Sequence, residues 1–204
     1  SNSLFELAFS GTDSRGINGI AYILRGTSYG DVRILTGDSG APDLMDIYGV
    51  GDVRGAANMV GTAQGYPTML GKFPSMNGED NVTLFRVEEM HLIAAETSLR
   101  AGNAADALSY LNNIPAIRGL GADYYASATL ENILEERRKE FAFEGLRFHD
   151  LSRMGMDMPS VDPFKQTNDD LTGTPPAYGS YRYAYPIALS ERNANPNMVQ
   201  NYGY

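Results

Sequence analysis

The stretch from Thr129 to Gly145 constrains the fold more than any other part of the chain. Leu130, Ile133, Leu134 and Phe141 recur at helical spacing and predict one apolar stripe. Arg137 and Glu144 fall at the centre of that same stripe. A buried charge without a partner is costly to desolvate, so a fold that buries this helix must bring counter-charges to it. Glu135 and Lys139 stand at i, i+4 and support the helix. A shorter helix from Leu146 to about Met154 is expected next, ended by Gly155.

Upstream, the pattern predicts a helical hairpin. Thr83 is a candidate cap. Leu84, Val87, His91, Leu92, Ala95 and Leu99 then share a face at helical spacing. Gly102 suits the left-handed position that ends a helix, and Asn103 can cap the next one, with Asp106 favourable in its first turn. Ala104, Ala107, Leu108 and Leu111 form the second stripe. This helix, glycine turn and helix look like one unit of a tetratricopeptide-type repeat, and such units need neighbours to bury their faces.

The flanks differ in texture. Residues 1–80 are rich in Gly, Asp and Tyr. Leu4-Phe5-Glu6-Leu7-Ala8-Phe9 reads as a strand, and short apolar runs such as Ile20-Ala21-Tyr22-Ile23-Leu24 suggest short strands and long ordered loops. Residues 83–155 are helical. Residues 156–204 are loop-rich, with Pro159, Pro163, Pro175, Pro176, Pro186 and Pro196 blocking long helices. There Tyr181, Tyr183 and Tyr185 alternate like one face of a strand. The fold class expected is mainly α, with a few short strands.

Composition excludes several functions. At 204 residues the chain is long enough for one good-sized domain. A net charge of −9 argues against nucleic-acid binding and against adhesion to an anionic membrane. The absence of cysteine excludes disulfides and thiolate chemistry. No run approaches the roughly 18 apolar residues of a transmembrane helix. The opening shows no signal peptide, and the missing initiator Met fits a fragment of a longer protein.

Glu89, Glu96, Glu136, Glu140, Glu144 and Asp150 could supply the carboxylate pair of a glycosidase. The structural alternative is a partly buried ion-pair network of Arg86, Glu89, Glu96, Glu136, Arg137, Arg138 and Glu144 that joins the two helical segments. Gly49 to Gly55 superficially resembles a dinucleotide loop, but Arg54 stands where the fingerprint needs Gly and no βαβ pattern surrounds it, so it reads as a turn-rich loop. His91 and His149 are isolated, and no metal or cofactor is expected. Asn168-Asp169-Asp170 lacks the EF-hand ligand order and reads as a solvated acidic loop. Asn81-Val82-Thr83 is a formal glycosylation sequon that helix capping explains more simply. Sugar binding uses aromatic faces. There are thirteen Tyr and no Trp, and Tyr22, Tyr29, Tyr48 and Tyr66 lie in the loop-rich region where binding residues concentrate. Each could equally cover the helical core with its hydroxyl outward.

Three runs carry a family resemblance. The first contains Arg86, Glu89, Leu92, Ala95, Glu96, Gly102, Ala107, Leu111 and Asn112. The second contains Glu136, Arg137, Arg138, Glu140, Glu144, Gly145, Arg147, Asp150, Leu151 and Arg153. The third is the tail from Tyr185 to Tyr204, with Pro186-Ile187, Ser190-Glu191, Asn195-Pro196 and a closing Gln200-Asn201-Tyr202-Gly203-Tyr204. In this order they resemble the C-terminal part of the SusD/RagB family. Weaker echoes are Pro42-Asp43-Leu44 to Tyr48 and Asp52-Val53-Arg54. Ala188 and Tyr202 depart from the pattern, each standing where the family usually has Pro.

The resemblance implies an outer-membrane lipoprotein at the cell surface, anchored through an N-terminal Cys absent from this chain. It implies non-enzymatic capture of glycans or other nutrients beside a SusC-like TonB-dependent transporter. Two other readings stand beside it: a helical protein-interaction module docking on the transporter, and a small glycoside hydrolase.

Overall fold

The computed structural model describes residues 2–25, 47–56, 58–63, 66–75, 77–159 and 176–204. Tyr29, Pro42-Asp43-Leu44 and the acidic loop at Asn168-Asp169-Asp170 lie outside the described residues. Helices dominate, with a few short strands. The chain divides into two compact units, residues 1–144 and 145–204, so the helical region read from sequence is shared between them. No helix among the described residues is long and apolar enough to cross a membrane.

In the first unit, strand β1 (Ser3–Leu7) pairs antiparallel with β4 (Val82–Arg86), with Leu7 opposite Val82 and Phe5 opposite Phe85. This overturns the expectation that Thr83 caps a helix. Its residue is paired with Glu6, and helix α2 begins only at Val87 and runs to Arg100. Asn2 covers that helix start: its carbonyl accepts from Val87 N–H at 3.0 Å and its side chain donates to Glu88 at 2.6 Å. A partner 75 or more positions upstream cannot be read from local pattern. The stripe is also narrower than expected, since Leu92 and Ala95 are buried whereas Leu84 and Val87 are exposed.

Helix α3 (Ala104–Ile117) packs on α2 more extensively than any other pair of helices. Gly102 makes the turn at φ +81°, a conformation that costs an L side chain but not glycine. Asn103 occupies the capping position, but its side chain makes no capping bond. Ala107 and Leu111 of the predicted stripe are buried, joined by Ile114, while Ala104 is exposed.

Helix α4 spans Leu130–Glu140, and Thr129 caps it by accepting from Asn132 N–H at 3.1 Å. The helix stops five residues before Gly145 because the chain turns left-handed twice, at Phe143 (φ 63°) and Gly145 (φ 80°). Ile133, Leu134 and Phe141 are buried as the stripe requires.

Residues 20–24, expected as a short strand, instead belong to helix α1 (Ile20–Arg25). The reason lies in the spacing: Ala21 and Leu24, three apart, are both buried and cluster with Phe73, which suits one helical face and not a strand. Strands β2 (Val60–Ala63) and β3 (Tyr66–Met69) form a hairpin with Val60 opposite Met69.

The second unit contains α5 (Leu146–Arg153), with Gly155 following at φ 65°, and a six-residue helix α6 (Leu189–Ala194). Tyr181–Tyr183 form a 3-10 turn, not the strand that their alternation suggested. Tyr183 N–H bonds Ser180 and Ala184 N–H bonds Tyr181. The Tyr183 ring stacks on Phe148 at 5.5 Å and the Tyr181 ring meets Tyr204 at 5.3 Å, contacts that sequence alternation does not encode.

Candidate functional site

The charged helix finds its counter-charges inside the first unit. Glu140 ends α4 and is 3% exposed. Three guanidinium groups converge on it. Arg86 reaches one oxygen at 2.5 Å, Arg118 forks onto both oxygens at 2.7 and 3.1 Å, and Arg54 reaches the second at 3.0 Å. One turn earlier, Glu136 accepts from Arg54 at 2.6 Å and from the Tyr125 hydroxyl at 2.9 Å. Asp52 holds Arg54 from the other side, with bonds of 2.9 and 2.7 Å. Arg86 also pairs with Glu144 through two bonds of 3.0 and 2.9 Å, and Lys72 makes an ion pair with Glu144. Arg118 and Arg86 both reach Glu88, at 3.1 and 3.2 Å.

Each guanidinium comes from a different element. Arg54 sits in a 3-10 turn, and its own N–H donates to the Asp52 side chain at the turn's start. Arg86 stands at the junction of β4 and α2, and Arg118 directly follows α3. The cluster therefore ties the loop, the ribbon and the hairpin to α4. The Phe141 ring forms part of its apolar packing, with Arg86 over one position at 4.5 Å and Arg137 at 5.2 Å.

The electrostatics follow from this geometry. Burial alone would raise the Glu140 carboxyl, but hydrogen bonding from Arg118 and the charges of Arg86 and Arg118 bring it down to about 2. For Glu136 burial wins over Arg54 and its carboxyl is raised. Burial would lower Arg54 and Arg86, yet their carboxylate partners raise both. Burial lowers Lys72 despite Glu144.

The residues singled out from sequence divide. Arg86, Glu136 and Glu144 lie in this cluster. Arg137 faces Glu89 at 3.9 Å, and Glu96 pairs with Arg100 one turn on at 2.9 Å. Arg138 is half-buried on α4. Asp52, Arg54, Lys72, Glu88, Arg118 and Glu140 are members that the network expected from sequence does not contain, Glu140 standing only among the candidate carboxylates and in the second family run. Arg118, Lys72 and Arg54 reach Glu140 or Glu144 across 22 to 86 positions, whereas Asp52 and Glu88 each have a partner arginine two positions away. The one available signal was the Asp52-Val53-Arg54 echo. Lys139, expected to pair with Glu135 at i, i+4, does so at 2.5 Å while only 1% exposed. It lies over Tyr124 and Tyr125 at 5.2 and 5.8 Å.

Among the tyrosines, Tyr48 stands beside the cluster. Its hydroxyl donates to the Lys139 carbonyl at 3.0 Å, and Arg54 lies 5.8 Å from its ring. Burial pushes its phenol up. With Gly49, Val50, Gly51, Asp52 and Val53 it lines a hollow of about 310 Å³. Tyr22 is half-buried on α1, and Tyr66 opens β3 opposite Ala63. These tyrosines belong to separate elements. His91 meets Asn113 at 3.3 Å and the Tyr110 ring at 6.1 Å. Among the described residues no group of three or more His, Cys, Asp or Glu could hold a metal ion.

Residues 64–204 match the family model of the SusD family, and the chain belongs to that family. It is 32% identical over 126 residues to the starch-binding protein SusD of Bacteroides thetaiotaomicron, a match covering 62% of this chain and 22% of the relative. It is 27% identical to the SusD-like protein P25 of Formosa agariphila, covering 63% and 25%. A crystal structure of a SusD superfamily protein from Bacteroides thetaiotaomicron superposes with a TM-score of 0.78 at 27% identity, covering 98% of this chain and 48% of that one. A second, from Bacteroides vulgatus, gives 0.77 at 28%, covering 100% and 46%. The chain thus spans about a quarter of the curated relatives and about half of the solved ones.

Proposed function

We propose that this chain is the scaffold-bearing part of a surface protein that binds glycans or other nutrients without chemistry and delivers them to a SusC-like TonB-dependent transporter. The remainder of the protein would carry the lipid anchor to the outer membrane. The observation that carries the reading is the state of the helical carboxylates in a chain of this family. Glu140 and Glu136, the buried pair one turn apart, are engaged by guanidinium and phenol groups. A general acid must release a proton and a nucleophile must be free to attack, and a carboxylate clamped by three arginines does neither. The starch-binding name of one relative supports a carbohydrate as the ligand.

Calorimetric titration of the chain with oligosaccharides tests this. Saturable heat is expected, and its absence across neutral and acidic glycans would count against glycan binding. The exposed apolar side chains of Leu4, Phe5, Leu7, Leu84, Phe85 and Val87 on the β1–β4 ribbon and the start of α2 favour protein contact as a second role. Co-purification with the transporter tests that role.

A further inference from the structure

The C-terminal unit exposes two tyrosine rings. Tyr185 and Tyr202 are 84% and 92% exposed. Chain ends are ordinarily loose, yet the backbone beneath these rings is fastened. Gln200 grips Ile187 at both its N–H (2.8 Å) and its carbonyl (3.0 Å). The Asn201 side chain donates to the Tyr185 carbonyl at 2.7 Å, and the Tyr204 hydroxyl donates to the Ala184 carbonyl at 2.7 Å. Residues 184–187 and 200–204 are thus held side by side. Phe148 lies 6.3 Å from the Tyr185 ring and Tyr181 braces Tyr204.

A held backbone need not be ordered on binding, which lowers the cost of association. The Tyr183 and Tyr204 hydroxyls are spent on backbone carbonyls. No hydrogen bond among the described residues engages the hydroxyls of Tyr185 or Tyr202. Residues 176–204 carry only Arg182, Glu191 and Arg192, against amides at Asn193, Asn195 and Asn197, and the nearby Arg147 and Asp157 are of opposite sign. A ligand suited to this face is neutral and flat on one side and offers hydroxyls to phenols and amides. A pyranose ring has that chemistry.

We propose that Tyr185 and Tyr202 form a saccharide-stacking platform on the C-terminal unit for a neutral oligosaccharide. This rests on the glycan-binding reading above. Leu189 and Val199 are also exposed, at 68% and 84%, and a protein partner would use them as readily as the tyrosines.

The test titrates the full chain with neutral α-1,4-glucan, β-1,4-xylan and β-1,4-mannan oligosaccharides, and repeats the best ligand on three double variants. Tyr185→Ala with Tyr202→Ala is expected to weaken binding about tenfold or more, equivalent to losing the stacking contribution of two rings. Tyr185→Phe with Tyr202→Phe keeps the rings and is expected to retain binding within about threefold, reflecting loss of hydroxyl contacts alone. Leu189→Ala with Val199→Ala is expected to bind as the parent does. Circular dichroism confirms that each variant is folded, and single alanine variants replace any double that is not. Equal binding by parent and alanine double overturns the platform and leaves the glycan reading intact. Loss in the leucine–valine double with retention in the alanine double also overturns it. No binding by the parent to any of the three overturns both the platform and the neutral-glycan reading.

Discussion

Arg118 forks onto Glu140, its Nη2 donating to one carboxylate oxygen at 2.7 Å and its Nε to the other at 3.1 Å. Arg118 follows α3 and Glu140 ends α4, so this single pair joins the helical hairpin to the charged helix. Planar guanidinium and carboxylate match in geometry, which makes such forks stronger than single contacts. Replacing Glu140 by Gln leaves Arg54, Arg86 and Arg118 without their shared counter-charge. Removing one partner of a buried pair costs about 3–5 kcal/mol. Glu140→Gln should therefore unfold at a clearly lower temperature than the parent, by roughly 10 °C for a chain of this size, read by thermal denaturation. An unchanged midpoint would contradict the role assigned to the cluster.

Acid should act through the same residue. The Glu140 carboxyl lies near 2 in the folded chain against an ordinary 4.5. Its stabilisation is complete above the ordinary value and is lost as pH falls from about 4.5 towards 2, on the order of 3 kcal/mol. Glu136 acts oppositely, because burial raises its carboxyl and its protonation on acidification relieves an unfavourable charge. Denaturant melts at a series of pH values should show a steep fall below pH 4.5 in the parent and a flatter one in Glu140→Gln.

Tyr48→Phe removes one part-buried hydroxyl and leaves its acceptor, the Lys139 carbonyl, without that donor. The expected loss is about 1 kcal/mol, measured by urea denaturation. The ring remains, so any affinity that depends on stacking at Tyr48 should survive.

Lys139 gives the contrasting case. Its partner Glu135 is 43% exposed at the side chain and returns to water if the ammonium is removed. Lys139→Met keeps the length of the side chain between Tyr124 and Tyr125. Losing one partner is costly when the other charge stays buried; here the carboxylate is solvated, so a midpoint within a few degrees of the parent is expected. A large loss in thermal denaturation would show that the ammonium itself is needed.

Gly102 closes the α2–α3 turn at φ +81° with open space around it. Gly102→Ala meets no clash, so its cost is the left-handed conformation alone, about 1–2 kcal/mol. Gly102→Asn should cost less, since Asn tolerates that region better. Equal midpoints for all three chains would contradict the cap geometry.

These residues also show what could be read in advance. The hairpin was legible because Gly102 and the buried Leu92, Ala95, Ala107 and Leu111 are local signals. So were Thr129 at the start of α4 and Gly155 after α5. The need for buried counter-charges was legible in Arg137 and Glu144, and their partners Glu89 and Arg86 stand in the network expected from sequence, but the further arginines were not legible. Arg54 and Arg118 reach α4 through tertiary folding, and nothing in their neighbourhoods marks them as buried. Thr83 resembled a cap because its strand partner Glu6 lies far upstream. Loop texture points to Tyr22 and Tyr48, which are half-buried. Among the described residues the two most exposed tyrosines lie in the tail, where Gln200 and Asn201 clamp the backbone.

The central claim is that the helical carboxylates build the scaffold and perform no hydrolysis. The direct measurement is reducing-end release when the chain is incubated with a mixture of polysaccharides and their oligomers. The account predicts none above buffer, from the parent and from Glu140→Gln alike. Release by the parent that disappears in Glu140→Gln or Glu136→Gln, with the variants still folded, would contradict it.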